Sequence, residues 1–120
     1  MTIWDDTYQV STQHKATINT GIGTVDSFTD TAAKAVEWRY VIDKGSGTNM
    51  RTGKIGAVFN TVSDSVPVII PDEGSPDIGT TWGIVTLSVD KTGNSVRLRA
   101  TVTSDGWTID VVRTLIGAPS

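Results

Sequence analysis

Nucleophilic chemistry of the serine–histidine–carboxylate kind has one histidine to draw on, His14, and the chain has no cysteine. No serine lies in a G-x-S-x-G elbow, the strand-to-helix turn that exposes such a nucleophile. One imidazole and no thiolate also fall short of a zinc or copper ligand set. Carboxylates are better represented, and glycoside hydrolysis needs only two of them across a cleft. Asp72, Glu73 and Asp77 fall together in one loop rich in Pro and Gly, and Asp5 and Asp6 lie near the amino terminus. Carboxylates clustered in this way read as solvated. The loop trio is also where a weak calcium site would form, although it lacks the ligand spacing of an EF-hand. Gly21-Ile22-Gly23 and Gly45-Ser46-Gly47 begin like phosphate cradles but lack the third glycine and the helix, and read as turns. The expectation is therefore no catalytic, cofactor-binding or metal-binding residue, and no enzymatic activity.

Aromatic side chains offer a different chemistry, the stacking of sugar rings. Trp38 shares its alternation phase with Val36 and Ile42, and Trp107 shares its own with Ile109 and Val111. Those two read as core, where Trp and Tyr commonly serve. Trp82 stands beside a glycine at a strand start and is the candidate ligand contact.

The elements that must hold these residues are strands. Val85, Leu87 and Val89 alternate with polar residues, as do Val96, Leu98, Ala100 and Val102, and then Trp107, Ile109 and Val111. Such period-2 patterning marks half-buried antiparallel strands. A two-residue turn at Asp105-Gly106 sets Val102 opposite Ile109, and a loop over 91–94 sets Val89 opposite Val96, predicting a three-strand meander. Upstream, Val36 to Ile42 and Met50 to Asn60 read as strands, and Val66 to Ile70 as an edge strand bounded by Pro67 and Pro71. Ile78 to Trp82 reads as a further short strand. Near seven strands predict an all-β fold, an antiparallel β-sandwich or jelly-roll-like domain over residues 25–120, preceded by an extended N-terminal arm over residues 1–24.

That arm is mostly polar with irregularly spaced apolar residues. Trp4 and Tyr8 either dock on a neighbouring subunit or pack on their own domain. In the last strand Arg113 falls in the phase of Trp107 and Val111, while Val112 and Ile116 lie in the other. Either a bulge shifts the phase, or both faces are covered and the strand forms a subunit interface. Trp4, Tyr8, Val112, Arg113 and Ile116 are thus the docking candidates. The net charge of −3 and pI near 4.9 argue against a nucleic-acid partner, which favours a basic face. No apolar run is long enough to span a bilayer, and the first residues do not read as a signal peptide.

From Trp38 onward the order of short pieces resembles a β-sandwich module of bacteriophage virion proteins, found in tail fibres, head fibres and other surface appendages. The pieces are Trp38-Arg39-Tyr40-Val41-Ile42, then Arg51-Thr52-Gly53-Lys54-Ile55 (an R-x-G-x-I element), Asp77-Ile78-Gly79, Gly83 to Val89 and Val96 to Thr101. The resemblance implies a virion-located, non-enzymatic structural protein without cofactor that assembles with itself, commonly as a homotrimer. A short chain with its own Met start favours a capsid decoration (cement) or adaptor subunit, with the major capsid protein as partner. The alternative is a tail-fibre or receptor-binding carbohydrate-binding module that uses Trp82.

Overall fold

A computed structural model describes residues 9–117. Eight strands are present among them: β1 (Gln9–Ile18), β2 (Gly21–Thr29), β3 (Ala35–Lys44), β4 (Asn49–Val58), β5 (Val68–Gly74), β6 (Val85–Thr92), β7 (Ser95–Val102) and β8 (Trp107–Ile116). All neighbours run antiparallel, in a five-stranded sheet ordered β1-β8-β3-β4-β5 and a three-stranded sheet ordered β2-β7-β6. The two pack as a sandwich. Its core takes the inward phase of every strand except β5, with Trp38, Ile42, Ile55, Leu98, Trp107 and Ile109 among the fully buried side chains. β5 is an edge strand as the prolines predict, but it runs through Pro71 to Gly74 instead of ending before it.

The predicted meander is half right. β6 and β7 form the expected hairpin, but Leu87 faces Ala100 and Val89 faces Leu98. The turn is two residues tighter than the four-residue loop assumed, and a two-residue shift leaves every side chain on its face. β7 and β8 do not pair at all. The Asp105-Gly106 corner carries the chain from one sheet to the other, so Val102 lies against Gly21 and Val85 rather than Ile109. Hydrophobic phase cannot separate these cases, since a hairpin and a sheet-to-sheet corner both turn apolar residues inward. Here Gly106 alone takes a positive φ, of 83°, whereas a type I′ turn needs two such residues. Asp105 instead accepts hydrogen bonds from the Thr20 backbone N–H (2.8 Å) and hydroxyl (2.7 Å).

Much of the expected N-terminal arm is sheet. From Gln9 to Ile18 the chain pairs in register with the whole of β8, and Ile18 enters the core. The pattern hid this because β1 is an edge strand, and residues 11–15 are exposed on both faces. Trp4 and Tyr8 lie outside the described residues. The expected strand at Ile78 to Trp82 is a turn-rich loop with a single bridge from Ile78 to Met50.

Arg113 does not mark a bulge in its own strand. The β8 ladder is unbroken on both sides, and the irregularity lies in β2, where the register shifts between Thr24 and Asp26. That bulge turns both Val25 and Asp26 inward. Arg113 points into the sandwich and donates to Asp26 at 3.2 Å and to the Ser27 carbonyl at 3.0 Å. Asp26 also accepts from the Trp38 indole N–H at 2.9 Å. Arg113 thus ties the two sheets together, leaving Val112 and Ile116 on the outer face.

Candidate functional site

Trp82 stands at the end of a network that begins in the core. Tyr40 on β3, Arg51 on β4 and Asp72 on β5 converge where the two sheets part, beside the loop that carries Thr81 and Trp82. The Arg51 side chain is fully buried, so each of its donors needs a partner. Its Nε reaches the Tyr40 hydroxyl at 3.1 Å, one terminal nitrogen the Thr81 hydroxyl at 3.2 Å, and the other Asp72 at 3.1 Å and the Val85 carbonyl at 3.3 Å. Tyr40 donates to the second Asp72 oxygen. Burial, reinforced by that bond to a carboxylate, pushes the Tyr40 hydroxyl well above its ordinary pKa, so it stays a donor.

The guanidinium of Arg51 lies 3.7 Å from the centroid of the Trp82 ring, a stacked cation–π contact. The indole N–H donates to the Ser75 carbonyl at 2.9 Å. Gly74 makes room, since a Cβ there would sit 2.5 Å from Trp82 Cζ2 and 2.7 Å from the Tyr40 hydroxyl. Trp82 is nevertheless 44% exposed. The result is an aromatic plate with its inner face on a buried cation and its outer side in water.

Asp77 fixes the loop beneath it, accepting from the backbone N–H of Thr81 (2.9 Å) and of Trp82 (3.2 Å), and from the Thr81 hydroxyl. Burial raises the Asp77 carboxyl, but these hydrogen bonds and the Arg51 charge outweigh it and hold its pKa below 3.8. The Lys91 ammonium does the same to Asp30, and the Thr20 hydroxyl and N–H to Asp105. Each carboxylate is therefore easier to protonate in the unfolded chain, and the stability it contributes is present above pH 3.8 and lost as pH falls below it. Urea midpoints are expected to hold steady from pH 7 to 5 and drop below pH 4. Asp77→Asn should flatten part of that drop, and an unchanged slope would show that Asp77 does not couple folding to protons.

Asp72 and Asp77, expected to be solvated, are thus engaged within the fold, and only Glu73 of that trio is exposed. Their oxygens already accept from Tyr40, Arg51, Thr81 and Trp82, which runs against the calcium reading. No group of three His, Cys, Asp or Glu residues among those described is placed to hold a metal ion. His14 is exposed on β1. Of the sequence candidates, Trp82, Asp72 and Asp77 join this network, the two carboxylates as its hydrogen-bond acceptors. Arg51 went unnoticed as its support, although it opens the R-x-G-x-I element, where a lone arginine in a strand headed for the core is the signal.

No family model matches the chain, and no curated protein matches it. Solved structures do match in fold. The tailspike protein of Acinetobacter baumannii phage AM24 aligns over 94% of this chain at 7% identity and a TM-score of 0.50. The tailspike gp49 of the A. baumannii bacteriophage Fri1, described as a capsular polysaccharide depolymerase, aligns over 93% at 8% identity and a TM-score of 0.53. The chain covers only 26% and 18% of these two proteins. What it shares with them is the fold of one portion of a phage tailspike.

One expectation changes here. The reading of the chain as non-enzymatic does not stand, because one protein that contains this fold is described as a depolymerase. Both matched proteins are phage tailspikes, and neither is a capsid decoration.

Proposed function

We propose that this chain is a module of a bacteriophage tail appendage that contacts bacterial surface saccharide, with Trp82 as the stacking residue. The observation that carries the reading is the exposed Trp82 ring held against Arg51, 3.7 Å from its centroid. An aromatic plate immobilised before binding loses little entropy when a sugar ring settles on it. The fold shared with a capsular polysaccharide depolymerase supports saccharide as the ligand class. As part of the same reading, the chain is a virion protein that assembles with itself. Exposed Ile116, Val58 and Val68 on one rung of the outer five-stranded face support that assembly, because monomers rarely leave such surfaces bare.

The experiment is an array of immobilised bacterial capsular polysaccharides probed with the wild type and Trp82→Ala, with light scattering on the same samples. Wild type should bind at least one polysaccharide, and Trp82→Ala should weaken that binding about tenfold or more. Scattering should give a homo-oligomer. Equal binding by the variant removes Trp82 from the site, and a monomer at every concentration removes self-assembly.

A further inference from the structure

The outer face of the five-stranded sheet carries a groove of about 600 Å³, lined by residues from β1, β3, β4 and β8. Its floor is one rung of the ladder, Lys15 opposite Asp110, Asp110 opposite Val41, and Val41 opposite Thr52. Four strands at about 4.8 Å spacing make this rung roughly 14 Å long. The next rung brings Gln13 and Arg39 to the rim on either side of Val112. The volume falls in the range of small-ligand sites.

Charge in the groove runs against the charge of the chain. The whole sequence carries −3, yet the groove holds the two cations Lys15 and Arg39 against the single carboxylate of Asp110. The four ion pairs among the described residues involve other cations. Lys15 and Arg39 are therefore free to meet an anion at the surface.

We propose that this groove is a second binding site, for a saccharide that alternates carboxylate-bearing and neutral rings. It rests on the saccharide-directed reading above but lies on a different face from Trp82. Lys15 and Arg39 meet the carboxylates, and Arg39 can do so with two parallel hydrogen bonds. Gln13 and Asp110 bond hydroxyls, and exposed Val41 meets the apolar face of a sugar ring. Asp110 at the centre also sets the pattern, because it repels an unbroken run of anions while accepting from a hydroxyl-bearing ring between them. An acidic peptide fits less well for that reason.

The test is calorimetric titration with a hexasaccharide of alternating glucuronic acid and N-acetylglucosamine, its carboxyl-reduced form, and hexaglutamate. Wild type, Lys15→Gln, Arg39→Gln and Trp82→Ala are compared, each checked for an unchanged melting temperature. The acidic hexasaccharide should bind wild type and weaken as salt is raised. Carboxyl reduction and each groove substitution should cost about tenfold, the effect of losing one charge-assisted contact. Trp82→Ala should leave this binding intact. The proposal is overturned if the acidic hexasaccharide does not bind, if its reduced form or hexaglutamate binds equally well, or if the groove substitutions have no effect. Acidic binding that survives Trp82→Ala on a protein whose array binding also survives it would overturn the Trp82 reading and leave this one standing.

Discussion

Arg51→Ala is expected to lower the free energy of unfolding by about 3–5 kcal/mol, the cost of removing one partner from a buried charged pair. The loss is large because one guanidinium serves four acceptors. Without it the Asp72 carboxylate keeps only the Tyr40 hydroxyl, the Thr81 hydroxyl and Val85 carbonyl lose a donor, and Trp82 loses the surface on which it stacks. Arg51→Lys should recover little, since an ammonium cannot span this fork or lie flat on an indole. Arg51→Met combined with Asp72→Leu should recover more than either alone, because the pair then leaves no buried charge behind. Urea unfolding followed by tryptophan fluorescence checks each variant against the wild type. A change within about 0.5 kcal/mol for Arg51→Ala, the range of ordinary surface substitutions, would show that the network does not hold the loop.

Trp38→Ala should cost a similar amount, about 3–5 kcal/mol, through the cavity left by a large core side chain. Trp38 is fully buried, packs 6.0 Å from the Phe28 ring and donates to Asp26. Trp38→Phe separates these roles. It keeps much of the packing but removes a donor to a carboxylate, expected to cost about 1.5–3 kcal/mol. Arg113 remains within 3.3 Å of both Asp26 oxygens, so the carboxylate is not stranded. If Trp38→Phe proves as damaging as Trp38→Ala in thermal or urea unfolding, the indole hydrogen bond dominates over packing at this site.

The parts legible in the sequence are those where one physical requirement acts alone. β6, β7 and β8 each bury one face, so their alternation shows directly. β1 does not, because an edge strand exposed on both faces from residue 11 to 15 has no phase to reveal. Arg113 looked like a broken pattern because its partner Asp26 lies 87 positions away, turned inward by a bulge in β2. The corner at Asp105-Gly106 was misread because turn chemistry and phase are shared by two connections that differ only in which sheet comes next. At the candidate site, Trp82 stood apart from the core aromatics because it sits beside a glycine and outside their alternating runs. Its support by Arg51 was not legible, since β4 and the loop before β6 meet only in the folded chain.

The most direct measurement is the set of indole N–H signals in a nitrogen–proton correlation spectrum during titration with fragments of bacterial capsular polysaccharide. Trp38 and Trp107 are sealed in the core, so they serve as internal references. Contact at the plate predicts that the Trp82 signal moves and saturates while those two stay fixed. Saturable binding that leaves Trp82 unmoved, or no binding across a broad panel of fragments, would contradict it.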